Sequence, residues 1–140
     1  MKVSFTIPGP PKGKGRPRFS TAGKYPKAFT PHDTALYENL VRTVYMDKAG
    51  AKLAGAVKAE ITAYFQIPKS ASKKRKAMMA SGEIKHASKP DADNIAKIVL
   101  DSLNGFAYDD DAAVAELRVG KRYSEDPRVE VVLESLESRA

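Results

Sequence analysis

Residues 56–67, AVKAEITAYFQI, constrain the fold more than any other stretch of this chain. Val57, Ala59, Ile61, Ala63, Phe65 and Ile67 alternate with Lys58, Glu60, Thr62, Tyr64 and Gln66. Successive side chains of a strand point to opposite faces, so this period of two predicts a strand with one buried side. Two more segments alternate in the same way. In 3–7, Val3, Phe5 and Ile7 share a face. In 127–135, Val129, Val131 and Leu133 do. Residues 112–123 read as a further strand, with Ala113, Ala115, Leu117 and Val119 on its apolar side.

The period changes between these strands. Leu36, Leu40, Val41, Val44 and Tyr45 recur at helical spacing over 33–48, after Asp33 or Thr34 as a cap and before Gly50. Residues 70–81 form a basic helix capped by Ser70 or Ser72 and stopped at Gly82, and a third helix runs from 93 to 104, ended by Asn104-Gly105. Residues 8–31 are too rich in Pro and Gly for a helix and read as an extended basic loop. Their spacing does not fit a phosphate-binding P-loop, because after the four residues that follow Gly9 the chain carries Lys14 and no glycine. The order β-α-β-α-α-β-β predicts one α+β domain, its mixed, largely antiparallel sheet packed with helices. A length of 140 residues suits one such core.

Charge is distributed unevenly. The net charge is +7, yet residues 1–30 and 68–90 together contribute about +13, and the remainder about −6. Two cationic segments around an acidic half suit a polyanionic partner. With no cysteine there is neither a disulfide nor a thiolate zinc site, and His32 and His86 have no metal-ligand spacing. No apolar run approaches the roughly 20 residues of a membrane helix. The expected location is cytoplasmic, with no membrane partner.

The acids concentrate in KPDADNIAKIVLD, residues 89–101, and in YDDDAAV, residues 108–114. At about 100° per residue, Asp93, Asn94, Lys97 and Asp101 form a polar stripe on the third helix, opposite Ile95, Ala96, Val99 and Leu103. Read for structure alone, Asp91 or Asp93 caps the helix for about 1 kcal/mol, Lys97 pairs with Asp101, and Asp109, Asp110 and Asp111 make a solvated turn. Crowded carboxylates repel, however, and a divalent cation offsets that repulsion. A hard, oxygen-only set suits Mg²⁺, with Mn²⁺ as an alternative. Next to basic segments it suits phosphodiester hydrolysis.

The chain resembles the RusA family of Holliday junction resolvases. The resemblance covers FTIPGPPKGKGRPRF, IPKSASKKRKAMM and, most specifically, KPDADNIAKIVLDSLNGFAYDDDAAV. It implies a homodimeric α+β endonuclease that cuts four-way DNA junctions with Mg²⁺. By the family's pattern the catalytic and metal-binding aspartates fall on Asp91, Asp93 and Asp111, and the catalytic lysine on Lys97. The turn departs from that pattern by carrying three acids and Ala113 where glutamine is usual, which leaves Asp110 as the alternative to Asp111. Lys12, Lys14, Arg16 and Arg18 on the loop and Lys73, Lys74, Arg75 and Lys76 on the basic helix are the expected phosphate contacts. The competing reading is a nucleic-acid-binding module without catalysis.

Overall fold

The computed structural model describes residues 1–15, 18–20, 27–29 and 32–137. Strand β1 (Lys2–Pro8) is followed by two short strands, β2 (Arg18–Ser20) and β3 (Lys27–Phe29), then helix α1 (His32–Lys48), strand β4 (Val57–Gln66), helices α2 (Lys73–Ser81) and α3 (Ala92–Ser102), a 3₁₀ turn (Asp111–Ala113), and strands β5 (Val114–Ser124) and β6 (Arg128–Ser135). This is the expected α+β order with one addition. Inside the segment read as loop, β2 and β3 pair antiparallel in a separate two-stranded ribbon. Its Pro and Gly residues hide strands of three residues from any periodicity test.

The main sheet runs β1-β6-β4-β5. β6 pairs antiparallel with both β1 and β4, while β5 joins β4 in parallel at the edge. A parallel neighbour needs a crossover, and α2 and α3 occupy it. The core is a continuous cluster in which Val57, Ala59, Ile61 and Ala63 of β4 and Val129, Val131 and Leu133 of β6 meet Val41 and Tyr45 of α1 and Ile95, Ile98 and Val99 of α3. Phe5 meets Tyr45 edge-on, with ring centroids 5.5 Å apart.

Two apolar faces differ from expectation. On α1 the buried residues are Thr34, Tyr37, Glu38, Val41 and Tyr45, and Leu36 is 53 % exposed. The helix is turned so that Glu38 faces inward, where a cation from another segment meets it. On β5, Ala113 belongs to the 3₁₀ turn, Ala115 is exposed and Leu117 is 48 % exposed. Register places Leu117 beside Ala59 and Val119 beside Ile61. Leu117 therefore lies on the core side of the sheet, at a margin the helices do not cover.

Candidate active site

Helix α3 supplies the first half of the site. Ile95, Ala96, Ile98, Val99 and Leu100 bury its apolar arc, which leaves Asp93 and Lys97 exposed and Asn94 and Asp101 half-buried. Asp91 holds the N-cap position in extended backbone, φ −68° and ψ 151°, yet its carboxylate accepts no capping hydrogen bond. An N-cap aspartate ordinarily accepts from the N–H of the second or third helical residue. Freed from that contact, Asp91 lines a cleft of about 830 Å³ together with Asp93, Asn94, Lys12 and Lys89.

The N-terminal loop forms the opposite wall. The Lys14 N–H donates to the Asn94 carbonyl at 3.0 Å. A Cβ on Gly13 would stand 2.9 Å from Cβ of Pro90 and 3.2 Å from Cβ of Asn94, so only glycine lets the loop lie this close. The Lys14 ammonium sits 2.7 Å from Glu38 Oε2 and 3.4 Å from Asp101 Oδ2. Asp101 thus pairs with Lys14, and the expected Lys97–Asp101 pair does not form. Lys12, Lys73, Lys74 and Arg75 are exposed and Lys76 is half-buried. Arg16 and the side chain of Arg18 lie outside the described residues.

The three consecutive acids have three different surroundings. Asp109 is fully exposed and paired with Lys52 at 2.5 Å, a contact that holds its carboxyl below the usual carboxylate range. Asp110 caps the 3₁₀ turn, accepting from the Ala112 N–H at 3.3 Å. Asp111 turns toward α3, within hydrogen-bonding reach of Asp101 and Asp110. Burial, then these two neighbours, pushes its carboxyl above the usual range. Tyr108 is buried beneath them and donates to the Leu100 carbonyl at 2.7 Å. Burial and the nearby Asp111, Asp101 and Asp110 raise its phenol further.

The far side of the cleft is pinned to the sheet. Lys121 of β5 donates to the carbonyls of Ser88 at 2.6 Å and Pro90 at 3.1 Å, directly before Asp91. His86 stacks on Phe65, centroids 3.6 Å apart, and meets Tyr123 edge-on. Burial and then Lys121 lower its pKa, so the imidazole stays neutral in the stack.

The structure therefore brings Asp91 and Asp93 into one cleft and Asp111 to Asp101. Asp101 stands ten residues beyond Asp91, roughly 15 Å along a helix axis. Among the described residues no three His, Cys, Asp or Glu side chains are grouped closely enough to hold a metal ion by themselves. That is compatible with Mg²⁺, which is usually bound through one or two carboxylates, with waters and substrate phosphates completing its shell. The donors are all hard oxygens. Asp91 and Asp93 fit such an ion, and Asp111 stands apart from them beside Asp101.

Sequence reasoning had assigned Asp101 to Lys97 and passed over Glu38 and Lys121. Asp101 and Lys121 carry a signal in the sequence. Asp101 continues the polar stripe two turns past Asp93. Lys121 interrupts an apolar alternation on the core side of β5, where a charge needs a partner.

The family model described as Endodeoxyribonuclease RusA matches residues 8–134. The chain belongs to the RusA family. The match spans the loop against α3, the D-x-D-N start of that helix and the acids before β5. A relative of similar length is "Uncharacterized protein YqaN" of Bacillus subtilis (strain 168), 36% identical over 134 residues that make up 94% of each chain. No helix among the described residues is long and apolar enough to cross a membrane.

Proposed function

We propose that this RusA-family protein is a Mg²⁺-dependent, cytoplasmic endonuclease that cuts four-way DNA junctions as a homodimer. The observation that carries the reading is the family match over 8–134, which includes both carboxylate-bearing segments. The uncapped Asp91 carboxylate in a cleft walled by Lys12 and Lys89 supports it.

In this reading Asp91 and Asp93 would hold the cation in the cleft, and Asp111, the third acid of the family pattern, would reach it only by leaving Asp101 when cation and substrate bind. When bound, a dication of this kind polarises the scissile phosphate and eases ionisation of the attacking water. The protein's own groups do the remaining work. Lys97, one turn from Asp93, stabilises charge developing on the phosphate. Lys12 and Lys89 draw the backbone into the cleft, and Lys73, Lys74, Arg75 and Lys76 hold a neighbouring stretch. Such contacts position the substrate without reading bases. Asp110 serves the turn and Asp109 the surface, which favours Asp111 as the third acid. A two-fold junction matches a C₂ dimer, whose paired sites nick opposing strands.

The test uses a synthetic four-way junction with Mg²⁺ or Mn²⁺. The unmutated protein should nick it, and Asp93→Asn should bind with similar affinity and nick at least a hundredfold more slowly. Tight binding without nicking by the unmutated protein, with either metal, would instead identify a non-catalytic binding module.

A further inference from the structure

The outer face of the sheet, opposite α1 and α3, holds a second basic surface. Cross-strand register sets Arg122 beside Tyr64, Gly120 beside Thr62 and Arg118 beside Glu60. Together with Lys85 and Lys121 these residues line a groove of about 350 Å³. Glu116 and Glu134 lie farther along this face, opposite Lys58, and the one acid that lines the groove, Glu60, already has a cation. Glu60 pairs with Lys58 at 3.4 Å, and Glu130 with Arg128 at 3.0 Å. Among the described residues Arg118 and Arg122 form no ion pair, and Lys85 reaches only the neutral carbonyl of Gly82. The groove therefore carries positive charge that its own lining does not compensate.

Its shape and chemistry select the occupant. Gly120 stands between the two arginines, and a Cβ there would meet nothing within 4 Å, so the strand backbone is open to close approach. Arg118 and Arg122 are about 13 Å apart along the strand, close to four base-pair steps of a duplex. The only aromatic ring of the groove, Tyr64, is already covered by the Arg128 guanidinium, 3.9 Å from its centroid. Single-stranded nucleic acid relies on free aromatic faces for stacking, and the groove's one ring has a face already taken. The groove meets the cleft around the edge strand β5: Lys121 borders the groove, while its side chain lies on the core side and bonds to Pro90, which lines the cleft.

We propose that this outer-face groove binds the sugar-phosphate backbone of a duplex arm, continuing past Lys121 the track that leads to the carboxylates. The inference rests on the DNA reading above and adds a site to it.

The experiment measures binding of four-way junctions with long and truncated arms across a salt series, for the unmutated protein and for Arg118→Gln/Arg122→Gln. On long arms the plot of log affinity against log salt should be shallower in the double variant by about 1.8, from two lost phosphate contacts. Affinity should fall on the order of tenfold, while truncated arms should show no difference. Gly120→Glu should weaken long-arm binding in the same way, and its melting temperature reports that the fold is intact. Equal slopes for variant and unmutated protein would overturn the groove and leave the nuclease reading standing. A larger loss on single-stranded DNA than on duplex would overturn the duplex assignment. Failure of the unmutated protein to bind any junction would overturn the DNA reading and the groove with it.

Discussion

Replacing Lys14 with methionine keeps the length of the side chain and removes its charge. The ammonium sits between Glu38 and Asp101, and the three side chains are 21 %, 11 % and 27 % exposed. Breaking a fully buried pair costs about 3–5 kcal/mol, because the remaining charge is left without a partner. Glu38 is nearly that buried and Asp101 less so, which gives an expected cost of about 2–3 kcal/mol. Unfolding entropy near 2.1 cal/mol/K per residue amounts to about 0.3 kcal/mol per degree for a chain of this length, so the melting temperature should fall by about 7–10 °C. Differential scanning calorimetry of Lys14→Met, Glu38→Gln and the double variant closes a cycle. The double variant should be more stable than the two single losses added together predict, by about 1 kcal/mol or more. A Lys14→Met protein that melts within about 1 °C of the original, but binds DNA with a shallower salt dependence, would refute the reasoning. Lys14 would then act as a phosphate contact, its role by sequence, with no structural ion pair of consequence.

Two further outcomes follow from the same region. Asp111 has a raised carboxyl, so its stabilising protonated form is present at low pH and is lost as pH rises through the folded value. Without divalent cation, Asp111→Asn should therefore raise the melting temperature near pH 7 by about 1–3 °C, show no gain at about pH 3, and abolish nicking. A lower melting temperature at neutral pH would contradict the crowding. Gly13→Ala would press a methyl against Pro90 and Asn94 and should cost about 1–3 kcal/mol. Hydrogen exchange should show the Lys14 amide, now displaced from Asn94, losing its protection.

The central strand and all three helices are legible in the sequence because their information is local. The alternation over 57–67 gives β4 its burial pattern. Ser72 and Gly82 bound α2 as caps, Ser72 accepting from the Arg75 N–H at 3.2 Å. The D-x-D-N signal places Asp91 and Asp93 together in the cleft. What periodicity misses depends on neighbours distant in sequence. Alternation in β5 says which residues share a side, but nothing about where the helical layer ends, and Leu117 lies beyond it. Leu36 follows the helical period of α1 and is still exposed, because the buried arc is centred on Tyr37, Val41 and Tyr45, with Glu38 meeting Lys14 on the same side. The run Asp109–Asp110–Asp111 is uniform as text, and only Lys52, the 3₁₀ turn and Asp101 give its members separate roles.

The position of β5 has a consequence for how heat affects this protein. Among the described residues the strand pairs with β4 alone, and its first residues follow directly from Asp110 and Asp111. Strand ends held from one flank open at lower free energy than strands enclosed by two neighbours, as β4 and β6 are. A modest rise in temperature can therefore detach the acids while the interior remains packed, and reinforcing the interior alone leaves the temperature limit of activity unchanged. Durability is fixed in the middle of the sheet, and reactivity at its rim.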